Sequence, residues 1–90
     1  MTKQILRDIL RAEIEKLKRV SYKNLPNLTR EVEVREYGEG ASFYEIEVQA
    51  FYDDAETGTL RIIVAVDDGG LSAFMPLTDD FLITPSGELL

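Results

Sequence analysis

Glu13 falls among Leu6, Ile9, Leu17 and Val20 on a helical wheel, away from the polar residues of the opposite side. A carboxylate held in an apolar stripe has its pKa raised, which makes it an acid or base candidate. The sequence supplies no second catalytic partner for it, and the competing reading is a charge that reaches Arg30 at the rim of a sheet. The chain contains no cysteine and no histidine. Those absences remove disulfides, thiolate nucleophiles, Ser–His and Cys–His pairs, and most transition-metal ligation.

The remaining chemistry belongs to carboxylates. Asp53-Asp54-Ala55-Glu56, Asp67-Asp68 and Asp79-Asp80 invite a calcium reading, yet none has the Asp-x-Asp-x-Asp-Gly spacing of a calcium loop. Aspartate is also a favoured turn residue, and hairpin chemistry accounts for all three clusters. Paired acids that flank a glycosidic bond need a concave, partly dry site, for which a chain with no tryptophan and four tyrosines offers little platform. The expectation is a non-catalytic protein without cofactor or metal.

The elements that position these groups follow from periodicity. Ile5, Leu6, Ile9, Leu10, Ile14, Leu17 and Val20 share one arc at 100° per residue, which predicts an amphipathic helix over 3–19 with Thr2 as its N-cap. Asn24, Pro26 and Asn27 interrupt the pattern and predict a connecting loop. Alternating runs then predict strands at 30–37, 43–52 and 59–66, each with its apolar set on even positions. A five-residue loop from Gly38 to Ser42 would pair Val34 with Ile46 and Val32 with Val48. Asp68-Gly69 reads as a two-residue hairpin turn leading to a strand at 71–77, with Val66 opposite Leu71 and Ile62 opposite Met75. Residues 81–90 form a C-terminal extension. The expected fold is a single α+β domain, one N-terminal helix packed on a four-stranded antiparallel meander, with five or six strands if the extension pairs. In element order this layout resembles cystatin-like folds, and no motif accompanies the resemblance.

Ninety residues with 44 % hydrophobic and 30 % charged side chains have the balance of one globular domain. Seventeen acidic residues against ten basic ones give a formal net charge of −7, which disfavours nucleic acid and anionic membrane surfaces and favours basic proteins. The N-terminus is charged throughout and no run of 18 apolar residues occurs, so a cytoplasmic location is expected.

The registers above place Glu31, Glu33, Arg35 and Tyr37, then Phe43, Glu45, Glu47, Gln49 and Phe51, on the sheet face away from the helix. Glu31, Glu33, Glu45 and Glu47 make it acidic on the first-strand side, with Glu33 opposite Glu47 as a like-charge pair. Phe51, Ile63, Ala65 and Phe74 make it apolar toward the last strand, with Ile63 opposite Phe74. An exposed patch of this kind implies a contact: with residues Phe81, Ile83 and Leu89 folded back over it, with a second copy in a homodimer, or with another protein. The leading expectation is a protein-interaction module that homodimerises. Two others stand beside it: an acidic, antitoxin-like inhibitor that covers a basic surface with the glutamate row, and a small-ligand-binding protein using Glu13 with Phe43, Tyr44 and Tyr52 between helix and sheet.

Overall fold

The computed structural model of the chain describes residues 1–70 and 75–90. The Thr2 hydroxyl accepts a hydrogen bond from the Ile5 amide at 3.2 Å and so caps helix α1, Lys3–Leu17. Leu6, Leu10, Ile14 and Leu17 are buried along one side of α1, as the helical spacing requires. Two 3-10 turns, Tyr22–Asn24 and Pro26–Thr29, follow the helix and carry Leu25 between them into the core.

Four strands then form an antiparallel sheet in sequence order: β1 Glu33–Tyr37, β2 Tyr44–Asp54, β3 Thr59–Asp67 and β4 Leu77–Ile83. The molecule is an α+β fold with one N-terminal helix on a four-stranded meander. Ile46, Val48 and Ala50 of β2, Leu60, Ile62, Val64 and Val66 of β3, and Phe81 and Ile83 of β4 close the core beneath α1. The helix lies over β3 and β4, and the Pro26–Thr29 turn lies against β2. Strand β1 is therefore at the uncovered margin of the inner face. Among the described residues no helix is long and apolar enough to cross a membrane.

Two registers differ from the sequence expectation. In the first hairpin Glu33 pairs with Val48, Arg35 with Ile46 and Tyr37 with Tyr44, one residue away from the expected Val34–Ile46 and Val32–Val48 pairs. The loop is longer because Gly40–Ser42 makes a 3-10 turn before Phe43. A one-residue slip exchanges the faces, so Arg35 and Tyr37 point to the helix side and Val34 lies outside, 51 % exposed. The physical reason is that β1 lies beyond the cover of α1. With neither of its faces dry, its apolar pattern specifies register only weakly.

The last strand also moves. Val66 pairs with Leu77, Ile62 with Phe81, Ile63 with Asp80 and Leu60 with Ile83, which corrects the expected strand at 71–77 and its partners. Residues 71–74, Phe74 among them, lie outside the described residues. Met75 is 83 % exposed while Phe81 and Ile83 are buried, so the observed register hides the larger apolar surface. The turn chemistry foreseen at Asp68-Gly69 does exist locally. Asp67 and Asp68 carboxylates accept from the Gly69 and Gly70 amides, and Gly69 has φ 81°. It does not join the paired strands. Beyond β4, Leu89 bridges Ile83 and the Leu90 amide donates to the Leu82 carbonyl, so the C-terminus runs along the β4 edge and leaves the outer face uncovered by residues 81–90.

Candidate functional site

Glu13 is 6 % exposed, and the slipped register of β1 supplies its counter-charge. Arg35 Nη2 lies 2.7 Å from Glu13 Oε2, and Arg35 Nε lies 3.2 Å from Glu33 Oε1. These ion pairs are the contacts that meet the buried Glu13 Oε2 and Arg35 Nε among the described residues. Arg35 Nη1 donates to the Tyr37 hydroxyl at 2.9 Å, and the Tyr37 ring stacks on Tyr44 at 5.0 Å between centroids and 20° between planes. Burial alone would lower the Arg35 pKa; its interactions with Glu13 and Tyr37 outweigh this and raise it above the ordinary guanidinium value. The expected contact of Glu13 with Arg30 is thus replaced by one with Arg35.

Open clefts of ≈ 270 Å³ and ≈ 230 Å³ flank this pair, the first toward Ile9, Tyr44 and Ile46, the second toward Leu17, Leu25 and Leu28. Tyr44 lines the first, while Phe43 and Tyr52, expected beside it, line neither. Each cleft is small for a ligand of ordinary size. With its charge met by Arg35, Glu13 serves as a structural ion pair that ties α1 to β1 across an interface α1 does not otherwise cover.

The outer sheet face is the other candidate. Pairing places Val34 and Glu36 of β1, Glu45, Glu47, Gln49 and Phe51 of β2, Arg61, Ile63, Ala65 and Asp67 of β3, and Thr78, Asp80 and Leu82 of β4 on it. Phe51 is 53 % exposed, and Ile63, Ala65 and Leu82 are half-buried at its centre. Of the expected glutamate row, Glu45 and Glu47 are here, Glu33 is on the opposite side with Arg35, and Glu31 precedes β1. Glu36 takes the place expected for Glu33 and stands directly opposite Glu45. Partial burial, with the charges of Asp67, Glu36 and Glu47, raises the Glu45 pKa above the usual carboxylate value.

The acidic pairs are otherwise engaged. Arg61 bridges Asp53, at 3.0 Å, and Asp80, and these contacts raise its pKa. Asp54 accepts from the Glu56 amide in the β2–β3 turn, and Asp79 accepts from the amide of Asp80. Among the described residues no group of three acidic side chains is arranged to hold a metal ion.

A feature missed in sequence lies in how the charges are distributed. Eight of the ten basic residues fall in positions 1–30, and fourteen of the seventeen acidic ones in 31–90. The net charge conceals this asymmetry between halves, which a separate count of each half would have exposed. Half of the basic residues of the first part, Lys3, Arg7, Arg11 and Lys16, lie on α1 beside Asp8, Glu13 and Glu15, and the other half follow it, whereas the outer sheet face is acidic. The chain matches no family model, no curated protein and no solved structure.

Proposed function

We propose that this chain is a non-catalytic, cytoplasmic protein-interaction module that uses the outer face of its sheet to bind a basic protein surface. The observation that carries this reading is the composition of that face. Six carboxylates, Glu36, Glu45, Glu47, Asp53, Asp67 and Asp80, share it with one guanidinium, Arg61, around an apolar centre at Phe51, Ile63 and Leu82. An apolar centre that no described residue covers, with a charged rim, is the make-up of a docking surface, and the sign of the rim selects the partner.

A sheet-to-sheet homodimer, the form first expected, fits this face poorly. It would set six carboxylates against six, with one arginine on each side, and like-charge juxtaposition costs several kcal/mol. A basic partner relieves the Glu36–Glu45 apposition instead of doubling it.

The test is fluorescence anisotropy with a labelled helical peptide rich in lysine, arginine and leucine, against the wild type, Glu45→Gln/Glu47→Gln and Phe51→Ser. The wild type binds in salt-dependent fashion and each variant binds about tenfold more weakly. Equal affinity for all three proteins would refute the assignment of this face.

A further inference from the structure

We infer that copies of this chain associate head to tail, the basic exposed side of α1 in one copy lying on the acidic outer sheet face of the next. This rests on the reading of the outer face as a docking surface for basic protein, and it names the partner as a second copy.

The exposed row Lys3, Arg7 and Arg11 runs along the flank of α1 that borders the β4 edge, and the outer sheet face is turned away from α1, so neither surface covers the other. Lys3, Arg7, Arg11 and Lys16 of α1, and Arg19 just beyond it, are exposed, and among the described residues none of the five has an ion-pair partner. Lys18, which caps the C-terminus of α1, pairs with Glu15 at 3.6 Å. Arg7, Arg11 and Lys18, together with the carboxylates Glu15 and Asp79, line an open groove of ≈ 350 Å³ between α1 and the β4 edge. The outer sheet face, for its part, has cations only at Arg61, which Asp53 and Asp80 already hold.

Spacing matches as well as sign. Lys3, Arg7 and Arg11 recur every four residues, a repeat of about 6 Å along a helix. Glu45 and Glu47 are two residues apart on β2, a repeat of about 6.8 Å along a strand, with Glu36 across from Glu45. A helix laid along β2 therefore sets Arg7 and Arg11 against Glu45 and Glu47. Asp8 and Glu15 interrupt the basic side of α1, which suits a mixed protein surface containing Arg61 better than a continuous phosphate backbone.

The net charge of −7 on each copy does not forbid the contact. At physiological ionic strength the Debye length is about 8 Å, so local complementarity outweighs repulsion between the far sides of molecules whose shorter extents are 21 and 19 Å. A contact between two different patches does not close on itself, so successive copies add in an open series.

Equilibrium sedimentation of the full chain tests this with two variants that each neutralise one patch, Arg7→Ala/Arg11→Ala and Glu45→Gln/Glu47→Gln. For the wild type the apparent mass climbs with concentration past that of a dimer, and the apparent dissociation constant rises about tenfold between about 0.05 M and about 0.5 M salt. Each variant alone associates about tenfold more weakly. An equimolar mixture regains association because one intact helix side meets one intact sheet face, and it stops at a heterodimer. A wild type that stays monomeric at about 1 mM overturns the inference, as does a mixture no better than its components. A plateau at dimer that strengthens in Glu45→Gln/Glu47→Gln would overturn it in favour of sheet-to-sheet pairing. The same wild-type sample titrated with the basic helical peptide separates the two levels: a monomer that binds the peptide refutes only head-to-tail association, and a monomer that does not refutes the docking face itself.

Discussion

Glu13 and Arg35 show how one ion pair turns an apparent catalytic oddity into an anchor. A buried carboxylate is tolerated only with its charge compensated, and the partner must come from the strand that α1 does not cover. Removing the cation should therefore be worse than removing both charges. Arg35→Ala is expected to lower stability by about 3 kcal/mol, and Glu13→Leu/Arg35→Met by clearly less, as read from urea unfolding. Glu45 works in the opposite sense. Its folded pKa is raised by partial burial and by Asp67, Glu36 and Glu47, so the native state binds its proton more readily than the unfolded chain. The cost is present at neutral pH and fades as pH falls through the raised value toward the ordinary carboxylate range. Glu45→Gln should accordingly raise the melting temperature at pH 7, with the advantage shrinking as pH falls toward the ordinary carboxylate value and gone below about pH 4. A gain that persists unchanged in acid would show that charge is not the cause.

At the scale of elements, legibility in the sequence followed burial. The α1 arc and the even apolar sets of β2 and β3 were readable because one side of each faces a dry core: Leu6, Leu10 and Ile14 meet Ile46, Val48, Ile62 and Val64. The odd-numbered loop assumed for the first hairpin was wrong because β1 has no dry side to enforce it, and with it went the assignment of Glu33 to the outer face. The final strand was misplaced because Asp68-Gly69 makes a genuine local turn, and turn chemistry was allowed to decide a pairing that Phe81 and Ile83 decide by burial. The composition of the outer sheet face was half legible: Phe51, Ile63, Ala65, Glu45 and Glu47 were placed on it, whereas Glu36 and Leu82 entered only with the true registers. The first hairpin depends on Gly38, at φ 70°, where an added Cβ would lie 2.3 Å from the Ser42 carbonyl oxygen. Gly38→Ala should cost more than about 1 kcal/mol, and it should increase amide exchange of β1 more than that of β3. Equal effects on both strands would contradict a weakly held β1.

The whole molecule is one helix on one sheet, with a row of basic residues along one flank of the helix and an acidic outer sheet face with an apolar centre. The Glu13–Arg35 ion pair links helix to sheet at the β1 margin. The most direct test of the docking face is a two-dimensional NMR titration of the isotopically labelled chain with the basic helical peptide. The expected result is salt-sensitive shifts confined to Glu36, Glu45, Glu47, Gln49, Phe51, Ile63 and their neighbours; shifts centred on Glu13, Arg35 and Tyr44 instead, or none at all, would contradict it.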